Sequence, residues 1–244
     1  MNFTIESEVF VARITRKELK SDKFAFEVEQ TVSFFEDHRK EIFRYGVIAL
    51  AAVALILAYM TYLRRQKVAR EEALAQAIQV QEAQVTPAPN PNGSPTFPTN
   101  EAKDQEALRV FSAIVTQYSG SSEAEIAQYY LGSIKADQGQ LPEAEKAFDD
   151  VVRNGNANYA SLAKLSLAQV YFAEGKASQG ESLLRDMIAN PTVFVSKDQA
   201  TVTLAQNLIS RNPAEARKLL DPLKTKGGPV GQMVLTMWGQ LPPQ

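Results

Sequence analysis

A recurring pattern of small and large apolar residues constrains the fold of the second half of this chain. In each copy a small residue is followed by a large apolar residue four positions later and by another apolar residue three positions after that. The four copies comprise Ala107, Phe111 and Ile114; Ala144, Phe148 and Val151; Gly180, Leu184 and Met187; and Ala216, Leu220 and Leu223. Their small residues are 37, 36 and 36 positions apart. This spacing predicts a helix with one apolar face that recurs at a fixed period.

A second helix precedes the patterned helix in the middle copies. In each, a leucine is followed by a small residue, and a glycine ends the segment; these positions are Leu131, Gly132 and Gly139, and again Leu167, Ala168 and Gly175. Glycine readily adopts the left-handed conformation that ends a helix. The unit is therefore a helical hairpin, and such hairpins bury their apolar faces only by stacking on their neighbours. We predict an all-α domain of stacked hairpins, with residues 68–85 as the first helix of the first hairpin.

An apolar run from Tyr45 to Leu63 contains no charged residue. As a helix with a rise of about 1.5 Å per residue it would be about 28 Å long, close to the thickness of the hydrocarbon core of a bilayer. More than 40 residues precede the run, and bulky residues rather than a small-residue cleavage site end it, which argues against a cleaved signal peptide. The run predicts one transmembrane helix, and a buried core helix is the alternative.

The basic residues around the apolar run leave its orientation open. Three of them precede it, Arg39, Lys40 and Arg44, and four follow it, Arg64, Arg65, Lys67 and Arg70. The positive-inside rule needs a clearer asymmetry than this. We divide the chain into an N-terminal tail at 1–44, the membrane helix at 45–63, a juxtamembrane helix at 64–85, a proline-rich linker at 86–100 and the repeat domain at 101–244. Five prolines in the linker predict neither helix nor strand there.

Composition excludes several kinds of function. The 26 basic and 28 acidic residues nearly cancel, so the chain lacks the basic excess of a nucleic-acid-binding protein. It has no cysteine and only one histidine, His38, and it contains no phosphate-binding loop, hydrolase or metalloprotease motif. We therefore expect a protein that is not an enzyme and that has no cofactor, no metal, no nucleic-acid partner and no small-molecule substrate.

Protein binding is the remaining mechanism, because the first helices of stacked hairpins line a common surface. The register of the repeats predicts that this surface includes Tyr129, Ser133 and Asp137 of one unit, with Gln169 and Phe172 of the next. The alternative for each of these side chains is that it packs in the core.

The second half of the chain resembles tetratricopeptide repeat (TPR) proteins. Leu131, Gly132, Gly139, Ala144 and Phe148 stand where that pattern has its characteristic residues. Two positions depart from it, since Gly180 replaces the usual alanine and Arg211 replaces a turn glycine, and the missing glycine leaves the geometry of the fourth unit open.

The whole layout resembles the YfgM-like ancillary subunits of the bacterial Sec translocon. The shared features are a tail with aromatic residues, here QTVSFFEDHRKEIFRYG, then one anchor, an alanine-rich helix and helical repeats. The tail and the proline linker are longer here than in that family. The resemblance implies a cytoplasmic N-terminus and a periplasmic repeat domain at the inner membrane. It also implies partners among the translocon, periplasmic chaperones and exported chains. A cytoplasm-facing membrane scaffold and a coordinator of the cell envelope or of division remain alternatives.

Overall fold

A computed structural model describes residues 39–86 and 95–242 of the chain. In these residues the helices are α1 Arg39–Gln81, α2 Asn100–Gln117, α3 Ser122–Asp137, α4 Leu141–Asn154, α5 Ala157–Ala173, α6 Ala177–Ala189, α7 Lys197–Leu208, α8 Pro213–Leu220 and α9 Gly228–Gln240. A single 3₁₀ turn, Asp221–Leu223, follows α8. The described chain is thus almost wholly helical, as the sequence predicted. Most of the predicted tail and the centre of the predicted linker lie outside the described residues.

Helix α1 contains both the apolar run and the start of the repeats. Its most apolar stretch of 18 residues has a mean hydropathy of 2.2, and none of that stretch is buried in the structure. The chain divides into two compact units, Met1–Arg65 and Gln66–Gln244. Within the second unit, the juxtamembrane part of α1 ends at Gln81 rather than at residue 85, because Gln84 and Val85 form a strand instead.

The prediction that the proline-rich segment holds no strand is wrong at its end. Residues Thr96–Phe97 form a short parallel pair with Gln84–Val85, and the amide of Thr86 donates a hydrogen bond of 2.8 Å to the carbonyl of Phe97. Proline removes a backbone donor only at its own position, so Thr96 and Phe97 between Pro95 and Pro98 keep their donors for pairing.

The turns between helices follow from a few residues. Gly139 and Gly175 have φ of +73° and +76°, the left-handed conformation that their positions predicted. Arg211 takes no such conformation, since no non-glycine residue in the described ranges has a positive φ. The turn at Arg211 instead relies on Asn212, whose side chain accepts a hydrogen bond from the amide of Glu215, and on Pro213 at the first helical position.

The helices pair in the order that the periodicity predicted. Consecutive hairpins are α3 with α4, α5 with α6, and α7 with α8, and helix α9 packs on the last of them. All twelve residues of the recurring pattern are buried. Leu74 and Ala77 of α1 lie in one apolar core with Phe111 of α2, so the end of α1 packs against the first repeat.

Candidate functional site

A cavity of about 250 Å³ lies between α3, α4 and α5. Its polar lining comes from Ser133 and Asp137 of α3 and from Ser166 and Gln169 of α5. Its apolar lining comes from Ala136, Leu141, Phe148, Val170 and Ala173. The cavity therefore brings together three of the five predicted surface residues, from two successive repeat units. They meet because both α3 and α5 are first helices of hairpins and contact one another directly.

Tyr129 lies next to this cavity on the same helix. The hydroxyl of Ser133 donates a hydrogen bond of 3.2 Å to the carbonyl of Tyr129, one helical turn earlier. The Tyr129 ring lies 5.7 Å from the ring of Phe148, which is 1% exposed and lines the cavity. Tyr129 thus joins the polar cavity to a group of aromatic rings.

Phe172 is not part of the cavity lining in the structure. Its half-buried side chain packs against the core of the third and fourth units, beside Gly180 of α6. A Cβ atom at position 180 would lie only 2.8 Å from Cε2 of Phe172, so the absent side chain of Gly180 leaves the space that the ring occupies. The repeat register predicted that Phe172, on the first helix of its hairpin, faces the binding surface. The direction of its ring also depends on Gly180, on the neighbouring helix α6.

A row of aromatic rings extends from Tyr129 across three repeat units. In one direction Tyr130 lies 5.8 Å from Tyr129 and stacks on the buried ring of Phe111 at 4.9 Å. In the other direction Tyr159 lies 5.9 Å from Tyr129, and Phe194 lies 5.8 Å from Tyr159. The rings of this aromatic row are half-buried or buried except that of Phe194, which is 42% exposed.

Sequence reasoning missed Tyr159 and Phe194. Tyr159 follows Tyr129 by 30 positions rather than by the 36 of the repeat, and Phe194 lies in the loop between α6 and α7. Neither position was marked by the periodic pattern. Within the row, only the adjacent tyrosines 129 and 130 gave a signal in the sequence. One of the two rings should face the core of α3, and the other is then left for the surface.

The site is nearly uncharged. Burial raises the pKa of both Tyr130 and Tyr159, and the neighbouring tyrosines raise it further, so these hydroxyls stay protonated at neutral pH. Asp137 carries the only charged side chain in the cavity lining. Hydroxyl and amide groups of this kind can hydrogen-bond a peptide main chain, and the rings offer apolar contact. In the described residues no cluster of three or more histidine, cysteine, aspartate or glutamate side chains could hold a metal ion.

A match to a family model agrees with this architecture. The family model of a tetratricopeptide repeat-like domain matches residues 33–199, which is more than half of the chain. Among solved structures, two crystal structures contain nearly identical TPR-like repeats of a Podosopora anserina protein named as a candidate kinesin light chain, one of them a variant with a single substitution. Each shares 18% identity with this chain at a TM-score of 0.47, and covers 57% of it and 79% or 80% of its own length. No curated protein matches the sequence. The extent of the family match, on a chain of stacked helical hairpins, shows that this protein belongs to the tetratricopeptide repeat-like domain family.

Proposed function

We propose that the protein is a membrane-anchored adaptor that binds other proteins through its TPR-like repeats. The observation that carries the proposal is helix α1, which contains an unburied apolar stretch of membrane-spanning length and, further along, two residues of the first repeat core. Domains of this family generally serve as protein-interaction scaffolds rather than as catalysts.

The binding surface of the adaptor is the cavity between α3, α4 and α5 together with the half-buried and exposed rings of the aromatic row, which leaves out the buried Phe111. Tyrosine is enriched at the energetic centres of protein interfaces, because its ring buries a large area and its hydroxyl hydrogen-bonds. The few charges on this surface suit an extended segment recognised by its main chain and by apolar side chains. A partner of this kind fits the exported, unfolded chains that a translocon releases.

The location we propose is the periplasmic face of the bacterial inner membrane, beside the Sec translocon. Support comes from the order of segments, which resembles the YfgM-like subunits: a tail, one anchor, an alanine-rich helix and helical repeats. In this arrangement residues 1–44 face the cytoplasm, Tyr45–Leu63 contact lipid, and the repeats pass exported proteins to periplasmic chaperones.

Fusions to the C-terminus test the location directly. Alkaline phosphatase is active only where its disulfides form, in the periplasm, whereas a suitable fluorescent protein matures only in the cytoplasm. We expect active phosphatase and a dark fluorescent fusion. The reverse result would favour the cytoplasm-facing scaffold, which the balanced basic residues around the anchor leave open.

Photocrosslinking tests the partners. A photoreactive amino acid at Ser166, in the cavity lining, should crosslink translocon subunits, chaperones or exported chains in living cells. The same residue at Lys218, which is exposed on α8 and outside the cavity lining, is the matched control. Equal crosslinking from both positions would remove the cavity from the proposal. Recovery of cell-wall or division proteins would favour the envelope role.

A further inference from the structure

Two further cavities of the repeat array occupy equivalent places in successive units. One, here called the Asp150 cavity, measures about 250 Å³ and lies between α2, α3 and α4. The other, here called the Asp186 cavity, measures about 240 Å³ and lies between α4, α5 and α6. Four lining residues of the first correspond to lining residues 36 positions later in the second: Ala124 to Ala160, Gln128 to Lys164, Asp150 to Asp186, and Asn154 to Asn190.

The Asp186 cavity contains an ammonium group of the chain itself. Nζ of Lys164 donates a hydrogen bond of 3.2 Å to Oδ2 of Asp186. The side-chain amide of Asn190 donates one of 2.9 Å to Oδ1 of the same carboxylate. These two hydrogen bonds, first that from Lys164, lower the pKa of Asp186. The chain thus shows how a cavity at this place in the repeat holds a lysine: the aspartate accepts from the ammonium, and the asparagine one turn later orients the aspartate.

The Asp150 cavity keeps the oriented aspartate but replaces the lysine. The side-chain amide of Asn154 donates a hydrogen bond of 3.2 Å to Oδ1 of Asp150, which repeats the arrangement of the next unit. Gln128, which is uncharged and half-buried, takes the place of Lys164. The acceptor of the ion pair is therefore present at this place, and the repeat-equivalent ammonium is not.

A second carboxylate adds to the negative charge of the Asp150 cavity. Glu125 stands where the Asp186 cavity has Ser161, and its Oε2 accepts a hydrogen bond of 3.2 Å from the backbone amide of Asn156. In the part of the chain that the structure describes, no ion pair includes Glu125 or Asp150. A cation that enters this cavity therefore meets two carboxylates and displaces no cation of the chain.

We propose that the Asp150 cavity binds a lysine side chain of a partner protein, whose ammonium takes the place that Lys164 has in the next unit. The apolar stem of a lysine can lie along Val115 and Val151 of the lining, while its ammonium reaches Asp150 and Glu125. Ion pairs near the surface add little affinity, so this contact chiefly selects the partner and its register. The site goes beyond the proposed function, because it is separate from the cavity between α3, α4 and α5 and from the aromatic row.

A lysine introduced into the Asp150 cavity tests its geometry without a partner. Gln128→Lys, in the full-length protein returned to liposomes, should place an ammonium beside Asp150 or Glu125. A carbodiimide joins a carboxylate to an amine in contact with it by an amide bond, and mass spectrometry of the digested protein identifies the joined peptides. The pair of Lys164 and Asp186 is the internal standard, and we expect a comparable yield from the introduced lysine. No such link, while the standard forms, overturns the proposal.

The same reagent tests the partner in membranes of the cells that produce the protein. We expect links from Glu125 or Asp150 of the unmodified chain to a lysine of a different protein. Gln128→Arg supplies a cation that the reagent does not couple and that competes at a high effective concentration, so these links should fall about ten-fold. Gln206→Lys adds the same charge at an exposed position of α7 and is the matched control, which should leave the links unchanged.

Three results would each contradict the proposal. They are links that persist in Gln128→Arg, links from Glu125 and Asp150 that are no more frequent than those from the exposed Glu143, and links to small free amines instead of a protein. Photocrosslinking from Ser166 should be the same in Gln128→Arg and in the unmodified chain. That measurement shows that the variant is folded, and it separates failure of this site from failure of the proposed function.

Discussion

Gly180 shows how one residue sets the distance between two helices. A Cβ atom there would lie 2.8 Å from the Phe172 ring and 2.9 Å from the carbonyl oxygen of Ala168. The ring could rotate away, but the carbonyl belongs to helix α5 and cannot move without the helix. Glycine therefore replaces the usual alanine of TPR proteins because α6 approaches the backbone of α5 and the Phe172 ring more closely than a Cβ allows.

Gly180→Ala should lower the free energy of unfolding by about 1 kcal/mol. Overpacking costs about 1–3 kcal/mol, whereas the better helix propensity of alanine returns about 1 kcal/mol. Urea unfolding followed by circular dichroism measures the difference. The matched control is Gly239→Ala in α9, where a Cβ meets no atom within 4 Å. This substitution should raise the free energy of unfolding by up to about 1 kcal/mol. Equal stability of the two variants would show that position 180 has room.

At the scale of elements, one ion pair joins the end of α1 to the repeats. Nε of Arg70 lies 3.3 Å from Oε2 of Glu123, in the first turn of α3. The Glu123 side chain is only 9% exposed, and both atoms are buried without a hydrogen-bond partner in the described residues. The Glu123 carboxylate therefore depends on Arg70 more than the reverse, because the Arg70 side chain is 29% exposed to solvent and that of Glu123 only 9%.

Removing one member of this pair should cost more than removing both. We expect Arg70→Ala to lower the free energy of unfolding by about 2 kcal/mol, below the full value for buried pairs because Arg70 is 29% exposed. Glu123→Gln in the same background should restore part of that loss, since it removes the unpaired charge. A double-mutant cycle by chemical denaturation measures the coupling. Strictly additive losses would mean that the pair contributes nothing as a pair.

Ion pairs also connect successive units at equivalent positions. Lys176, after the turn of the third unit, lies 2.7 Å from Glu145 of the second unit. Arg211, in the turn of the fourth unit, lies 2.9 Å from Glu181 of the third. Glu145 and Glu181 are 36 positions apart, so the same contact recurs with the repeat. The hydrogen bond from Lys176 is the main cause that lowers the pKa of the Glu145 carboxyl below its usual 4.5.

This lowered pKa gives a pH dependence of definite sign. A carboxylate with a lower pKa in the folded state stabilises the fold above pH 4.5, and that contribution disappears as the pH falls through the folded pKa. Glu145→Gln should therefore be less stable than the unmodified chain at pH 7, with a gap that closes as the pH falls below 4.5 through the folded pKa. Thermal unfolding across this range measures it. Glu143→Gln, on the same helix and without an ion pair in the structure, is the control. A gap that stays constant with pH would exclude the ion pair as its cause.

At the scale of the whole molecule, the repeats form three apolar cores rather than one. The first joins the end of α1 with α2 and α3 around Phe111. The second joins α4 and α5 around Phe148, and the third extends from α5 to α9 around Leu204. Because each core contacts only its neighbours, stability should be distributed along the chain as a sum of nearest-neighbour terms.

A charge in the first core should therefore destabilise the array from one end. Ala77→Asp places a carboxylate at a position that is 1% exposed, in a core without a partner for it. Hydrogen exchange should show lost protection in α2 and α3 first, while α7 and α8 keep theirs. Ala75→Asp, at an exposed position of the same helix, is the control. Uniform loss of protection from α2 to α9 would show that the array unfolds as one cooperative unit.

The sequence alone determined the features that depend on short-range spacing. The recurring pattern placed twelve buried residues on the correct helix faces, and the glycines at 139 and 175 predicted left-handed turns. It also predicted an apolar side at the end of α1, where Leu74 and Ala77 share one face and pack in the first core. Helical spacing fixes which side chains share a face, and this depends only on residues that lie close together in the sequence.

The tertiary structure decided what depends on contacts between distant residues. It packed Phe172 against Gly180, joined Tyr159 and Phe194 to Tyr129 in the aromatic row, and paired Gln84–Val85 with Thr96–Phe97. None of these follows a fixed period along the chain. Each is set by how closely two elements approach and at which point they cross, and that depends on the volumes of side chains from both elements at once.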